Sequence, residues 1–207
     1  MVVVPNTIDV DRYARPRESR RPTSPTALVY PAVFEYLPNG LAAARLVDEI
    51  FPALANVRPD VRLALVGIGP TAHMKEAAAR DPRIEVTGRV PDTLPYLHGA
   101  GAMPVPLHEG GGTRFKALEA FAAELPVVST AKGVEGLGAV PGEHYLRAET
   151  TDEFVAALLG LFDDEATREA LTSRALAFVR ERYSLAAARE SVAGALGGLG
   201  LDAAGLK

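Results

Sequence analysis

The stretch PVPLHEGGGTRFKALEAFAAELPVVST, residues 104–130, decides the fold. It opens on a short apolar run of the kind that forms a buried strand and passes through three consecutive glycines, Gly110, Gly111 and Gly112. It continues with Phe115, Leu118, Ala122 and Leu125 at helical spacing, then enters a second apolar run, PVVST. Strand, glycine turn, helix and strand in succession are the repeating unit of a parallel sheet with helices on its faces.

Outward from this unit the same alternation repeats. ALVYPAV (27–33) reads as a first strand and LAAARLVDEIFPALANV (41–57) as a helix with Leu46, Val47, Ile50 and Leu54 on one face. RLALVGIG (62–69) reads as a buried strand, followed by a helix over 70–80, the strand IEVTGRV (84–90) and a helical turn at 94–98. GAMPVPL (101–107) is the strand before the glycine turn, and the helix after it spans 113–124. After PVVST comes a weaker strand, GEHYLRA (142–148), then helices at 151–162, 164–182 and 185–196. The Pro- and Arg-rich residues 6–26 read as a connecting arm without a packed element. The expected division is therefore an arm at 1–26, a Rossmann-like α/β domain at 27–184, and a C-terminal helix with a fraying tail at 185–207.

The glycine turn is the leading candidate site. Without side chains, its backbone N–H groups can approach a ligand that bulkier residues would exclude. Thr113 is the expected N-cap, which sets Arg114 and Lys116 in the first helical turn, where the helix macrodipole disfavours cations. A bound diphosphate would reconcile the two cations with that position. The plain alternative is a flexible loop with solvated basic residues. Glu119, on the flank of the apolar stripe, is placed to accept hydrogen bonds from vicinal ribose hydroxyls, or else is a surface carboxylate paired with Lys116 or Lys132.

Other motifs are weaker. VGIGPTA (66–72) fits a G-x-G-x-x-A dinucleotide fingerprint through Gly67 and Gly69, but the acid expected at the end of the next strand is missing: Glu85 lies inside IEV. A tight strand-to-helix turn near a cleft, with Pro70 in the first turn of its helix, is the preferred reading. His73, His98, His108 and His144 share no metal-ligand spacing, so no metal site is expected; His108 and Glu109 adjoin the glycine turn and are candidate ligand contacts.

Composition narrows the classes. The chain has 207 residues, 48% hydrophobic and 23% charged, as in ordinary globular proteins. The net charge of −4, with no clustering of Lys and Arg, argues against a nucleic-acid surface. Cysteine is absent, which excludes disulfides and thiolate chemistry. No apolar run is long enough to span a bilayer and MVVVP does not make a signal peptide, so the cytoplasm is the expected compartment and any membrane contact peripheral.

VPNTIDVDRY, LALVGIGP, IEVTGRVPD, residues 104–130 and GVEGL, in this order, resemble the C-terminal, donor-binding half of GT-B fold glycosyltransferases, most closely the retaining group 1 type. The resemblance implies transfer of a sugar, hexosyltransferase-like, from a nucleotide-diphosphate donor to an acceptor hydroxyl in glycan or glycoconjugate synthesis, with no metal or other cofactor. Glu119 matches the second glutamate of the E-x7-E motif, which binds ribose. The first glutamate, which touches the sugar, falls on Gly111, and Glu109 is two positions away. A GGGTR-x-K subgroup matches at Gly110, Gly111, Gly112, Thr113, Arg114 and Lys116, which implies a diphosphate clamp; the usual Arg and Lys are absent from YPAVFEYLPNG (30–40). Gly67, Gly69, Arg89 and Val90 match the lining of the cleft and the base region, and His108 and Glu109 remain candidate sugar contacts.

The resemblance also implies a partner, an N-terminal acceptor-binding domain that this chain does not contain, so the isolated chain is expected to bind nucleotide sugar and transfer nothing. The catalytic base would lie in that domain. Two alternatives stay open: a non-catalytic binding module of the same fold, consistent with Gly111, and a sugar-nucleotide epimerase or NAD-dependent enzyme.

Overall fold

Strands such as RLALV, apolar on both sides of the pleat, can be dry only in a sheet covered on both faces, and the chain builds such a sheet. The computed structural model describes residues 6–14 and 24–198. Among these the elements run α1 (Val10–Tyr13), β1 (Ala27–Pro31), α2 (Leu37–Arg45), a π turn (Leu46–Ile50), α3 (Phe51–Val57), β2 (Arg62–Val66), α4 (Ala72–Arg80) and β3 (Ile84–Gly88). They continue with α5 (Leu94–Gly99), β4 (Met103–Val105), α6 (Phe115–Ala122), β5 (Val127–Ser129), a 3-10 turn (Lys132–Val134), β6 (Leu146–Arg147), α7 (Thr151–Asp163), α8 (Glu165–Tyr183) and α9 (Leu185–Gly198).

All strand pairs are parallel, in the orders β1-β2-β3 and β4-β5-β6. A bridge between Leu28 and Ala102 joins the two triplets. Gly101 N–H donates to Ala27 O at 2.8 Å and Val29 N–H to Ala102 O at 3.2 Å. The strand order is therefore 3-2-1-4-5-6, a doubly wound sheet as the alternation predicts, with its direction of growth reversing between β1 and β4. Helices α2, α3, α4 and α7 group on one face; α6 and α8, with α1 and α5, group on the other. Tyr30, Phe51, Phe121 and Phe154 are among the largest fully buried side chains. Phe121 meets Phe178 of α8 edge to face at 6.4 Å.

Several expectations shift. The helix read over 41–57 begins at Leu37 and widens at the π turn, where Phe51 N–H reaches Leu46 O. Pro52 explains the widening: it has no N–H to donate, and its ring would crowd the carbonyl four residues earlier. The helix read over 70–80 starts at Ala72, so Pro70 precedes the helix; Thr71 is the cap, its hydroxyl accepting Met74 N–H at 3.3 Å. The strand read over 142–148 is reduced to Leu146–Arg147.

The larger correction concerns the arm. Within 6–14, Ile8 and Val10 are buried, and Ile8 N–H donates to Tyr183 O at 2.9 Å. Asp9 caps α1 by accepting Arg12 N–H at 3.3 Å. A four-residue helix with two apolar anchors carries too little periodicity to be read from sequence. The remainder of the arm, 15–23, and the tail from 199 lie outside the described residues.

Two substitutions test the backbone. A Cβ on Gly67, whose φ is 142°, would lie 1.9 Å from Ala32 O. Gly67→Ala should therefore destabilise the fold by about 3 kcal/mol or more in urea denaturation. Glu124 is the one non-glycine among the described residues with positive φ, at 52° beyond the end of α6. Glu124→Gly should raise stability, by ~0.5–1 kcal/mol, because glycine adopts that conformation without strain.

Candidate functional site

Where strand order reverses, the loops leaving the carboxyl ends of the two central strands diverge to opposite faces and open a crevice between them. Here those loops are 32–36 after β1 and 106–114 after β4. The first is pinned to the neighbouring turn: Ala32 N–H donates to Val66 O at 2.9 Å and Phe34 N–H to Ile68 O at 2.8 Å. This close approach accounts for Gly67, and a positive φ for Gly69. A Cβ on Gly69, at φ 70°, would come within 2.3 Å of Glu35 Cγ. Both glycines back the crevice wall formed by 32–35, and the G-x-G-x-x-A pattern needs no dinucleotide to explain it.

The glycine turn forms the opposite wall. Gly110 and Gly112 have φ of 109° and 87°. A Cβ on Gly110 would be 3.0 Å from the Pro38 ring, whereas one on Gly111 or Gly112 would face open space. Gly111 N–H donates to Tyr36 Oη at 3.2 Å, tying the two loops together. A cavity of about 210 Å³ lies between them, lined by Tyr36, Asn39, Glu109, Thr113, Arg114 and Lys116 among others.

Arg114 departs from its expected position. It is the N-cap residue of α6, only 6% exposed, and it folds back beneath the turn. Its guanidinium donates to Gly110 O at 2.9 Å, to Gly111 O at 3.1 Å and to Glu135 Oε2 at 3.1 Å. In a planar trans peptide the N–H points opposite to the C=O. By drawing both carbonyls inward, Arg114 turns the N–H groups of Gly111 and Gly112 away from itself, toward the crevice. Thr113 is not the cap: it is exposed and its hydroxyl accepts a hydrogen bond from Asn6 Nδ2. Arg114 occupies the N-cap position instead, with no side-chain cap hydrogen bond.

Lys116 enters the crevice from below. Its Nζ donates to Tyr30 Oη at 3.0 Å and to Asn39 Oδ1 at 2.8 Å, and sits 4.2 Å from the Tyr30 ring centre. Burial pushes the ammonium down to about 7; Glu119 raises it in part and Arg114 lowers it further. Asn39 is itself held by donating to Val33 O at 2.9 Å. Segment 30–40, which carries no cation of its own, is thus met by the lysine of α6.

Glu119 is half-buried, one turn further along α6. It accepts the Tyr13 hydroxyl at 2.7 Å. Burial raises its carboxyl, opposed by the Tyr13 hydrogen bond and the charges of Arg12 and Lys116. Lys132 is not its partner, since that amine pairs with Glu135 at 2.7 Å. Phe115, read as part of the buried stripe, is 42% exposed at the crevice mouth; Ala117, Leu118, Ala120, Phe121 and Ala122 form the buried face instead.

The remaining candidates are spread out. Glu109 lines the cavity, but His108 turns to Arg45, Nε2 to Nη1 2.6 Å, and Arg45 also donates to Glu149 O. Arg89 is exposed and Val90 half-buried beyond β3, at the far end of the same carboxyl edge. His73 meets Asp48, His98 meets the Tyr13 carbonyl, and His144 stacks on Phe178. Among the described residues no group of three or more His, Asp or Glu side chains could hold a metal ion, and no helix is long and apolar enough to cross a membrane. Sequence reasoning missed Tyr30, Tyr36, Asn39 and Glu135. The signal for Tyr30 was a single hydroxyl in an otherwise apolar strand, since a buried tyrosine hydroxyl needs a partner.

Two measurements check this geometry. Arg114→Leu should destabilise the chain by ~2–3 kcal/mol in urea denaturation, since it strands two turn carbonyls; Glu135→Gln, at an exposed carboxylate, should leave the midpoint nearly unchanged. Lys116 has a folded-state pKa of about 7 against an ordinary 10.5, so between those values the unfolded chain binds more protons. Stability should therefore rise with pH across that window and be lowest, for this group, below it. Lys116→Met should flatten the rise relative to wild type.

Comparison with known proteins identifies the family and the fold. The sequence matches the family model for glycosyl transferases group 1 over residues 28–164, well over half of the chain. A search of curated proteins finds no match. Among solved structures, Anabaena Alr3699/HepE in complex with UDP and glucose superposes with a TM-score of 0.75 at 15% identity, covering 94% of this chain and 56% of that one. Sucrose-phosphate synthase from Thermosynechococcus elongatus gives 0.73 at 20% identity, covering 95% and 52%. The C-terminal domain of the group 1 family protein LpcC from Francisella tularensis gives 0.66 at 16% identity, covering 86% and 99%. This chain thus spans about half the length of the first two and corresponds to nearly all of the third, and its fold is that of one half of a GT-B glycosyltransferase. The chain belongs to the group 1 glycosyl transferases.

Proposed function

We propose that this chain is the donor-binding half of a retaining glycosyltransferase, hexosyltransferase-like, that takes a nucleotide-diphosphate sugar for glycan or glycoconjugate synthesis in the cytoplasm. The observation that carries the reading is the pairing of inward-drawn carbonyls at Gly110 and Gly111 with the buried Lys116 amine at one mouth of the crevice. Together they present the Gly112 N–H and a latent cation to the same small volume, beside the Tyr36 hydroxyl that the Gly111 N–H holds, which suits a diphosphate. That a neighbour of the same fold was solved with UDP and glucose supports the choice of ligand.

In this reading Lys116 and the amides of Gly112 and Thr113 bind the diphosphate, and Arg114, through the Gly111 carbonyl, fixes the Gly112 amide and adds its charge from behind. The arriving negative charge raises the Lys116 pKa, so the amine takes up a proton as ligand binds. The same groups stabilise the charge that develops on the diphosphate as the sugar leaves. Glu119 accepts the ribose hydroxyls, Arg89 and Val90 flank the base, and Glu109 stands nearer than His108 to the sugar. No metal or other cofactor is assigned. Acceptor activation belongs to a second domain, with residues 1–26 as the connection, 27–184 as the nucleotide-sugar domain and 185–207 as a C-terminal helix and tail.

Calorimetric titration with UDP, GDP, ADP and NAD tests the reading. One nucleoside diphosphate should bind wild type, and Lys116→Met and Glu119→Ala should each weaken it by about tenfold or more. Binding of NAD alone, or of nothing, would overturn the donor site. Binding without any loss in either variant would favour a module that keeps the fold but uses another surface. The chain alone should not transfer sugar from any nucleotide sugar; turnover by the purified chain would contradict the division of labour.

A further inference from the structure

Tyr13 and Glu119 are 106 positions apart in sequence, yet the phenol donates to Glu119 Oε1 at 2.7 Å. The contact belongs to a segment fastened at both ends beside α6. Asn6 donates to the Thr113 hydroxyl, Ile8 N–H to Tyr183 O, and the Tyr13 carbonyl accepts from the His98 ring at 3.0 Å, while Ile8 and Val10 are buried. The Tyr13 phenol is therefore delivered to the carboxylate by a docked backbone rather than by a free side chain.

A carboxylate that receives two adjacent hydroxyls needs its plane fixed, because the terminal torsion of glutamate is otherwise broad. An ionised carboxylate offers about four acceptor directions. Tyr13 takes one, on Oε1, and among the described residues Oε2 accepts no hydrogen bond. Tyr13 at one edge thus leaves Oε2 without a hydrogen bond from the described residues and constrains the plane of the carboxylate.

We propose that Tyr13 is a specificity-determining positioning residue that, by holding Oε1 of Glu119, orients the carboxylate toward the 2′- and 3′-hydroxyls of the donor ribose. The inference rests on the reading of Glu119 as the ribose contact. The charged and titratable groups facing Glu119 are Arg12 and Tyr13 from α1 and Lys116 from its own helix, with Asp92 facing Tyr13. Removing the phenol oxygen takes away a donor that favours the ionised carboxylate, so the Glu119 carboxyl rises.

The test compares UDP, GDP or ADP, whichever binds the intact chain, with its 2′-deoxy counterpart, on wild type and Tyr13→Phe. Wild type should prefer the ribonucleotide by about tenfold or more, and Tyr13→Phe should reduce the preference to about threefold or less, with affinity for the 2′-deoxynucleotide little changed. The acidic limb of ribonucleotide binding should move to higher pH in the variant. Thermal melting of both proteins shows that the variant is folded, and Tyr13→Trp, which keeps an aromatic ring but misplaces its donor, should also lose the preference. An unchanged preference in Tyr13→Phe overturns the role of Tyr13 and leaves the Glu119 reading standing. Equal weakening toward both nucleotides reduces Tyr13 to a structural prop, and tighter binding by the variant makes it a blocking contact; either overturns the proposal. A wild type without preference removes the Glu119 reading, and the proposal with it.

Discussion

The two halves of the sheet meet through Gly101 and Ala102, where the backbone entering β4 lies directly against the chain entering β1. A Cβ on Gly101 would come within 1.8 Å of Pro25 O, so the approach needs a residue without a side chain. The contact lets β4 pair beside β1 instead of continuing outward from β3, which makes the strand order reverse. Once it reverses, the loops after β1 and β4 must part, and the crevice between them follows from topology rather than from any loop's own preference. The π turn, the capped helices and the buried aromatic residues secure the layers, but the seam at Gly101 decides where a ligand can enter.

Within that crevice the two cations of α6 divide the work according to their chemistry. A guanidinium cannot discard its proton, so burying Arg114 is tolerable only if its charge is matched. Gly110 O, Gly111 O and Glu135 supply three acceptors, although Nε has none. An ammonium can become neutral, so Lys116 can sit against the Tyr30 ring with only two oxygen partners, held near the edge of protonation by burial. Arg114 therefore behaves as part of the scaffold, setting the peptide planes of the turn. Lys116 is the adjustable group, whose charge depends on what enters. This division also resolves why two cations occupy a helix start that should repel them: one is paired with Glu135 and bonded to two carbonyls, and burial lowers the other's hold on its proton.

The sheet was legible in the sequence because its strands are uniformly apolar and its helices periodic; β1 through β5 and the three C-terminal helices fall close to where periodicity sets them. What escaped depended on pairings between remote segments. Nothing local in YPAVFEYLPNG shows that Tyr30 and Asn39 would receive the Lys116 amine, because the match exists only once β1 and β4 are neighbours. Local spacing could identify Arg114 and Lys116 as misplaced cations but not which of them points inward. Thr113 looked like a cap on composition, but the N-cap position falls one residue later, on Arg114, whose side chain makes no cap hydrogen bond. Gly67 and Gly69 illustrate the reverse: a motif with a functional signature in which Gly67 answers to the close backbone of Ala32 and Gly69 to its positive φ beside the Glu35 side chain.

The same distinction governs the segment before the sheet. Ile8 and Val10 are too few to announce a packed element, and α1 is too short to persist alone, since a single helical turn does not recover its nucleation penalty. The segment is ordered because α6 and the end of α8 supply a surface for it, and three of its hydrogen bonds end on Thr113, His98 and Tyr183 rather than on one another. Its order is consequently borrowed from α6, α8 and the end of α5. Such borrowing works in both directions: a segment held by Thr113 and Glu119 also limits how those residues can move. The carboxylate of α6 is thereby coupled to chain that precedes the sheet, through a contact that neither the periodicity of α6 nor the composition of 6–14 contains.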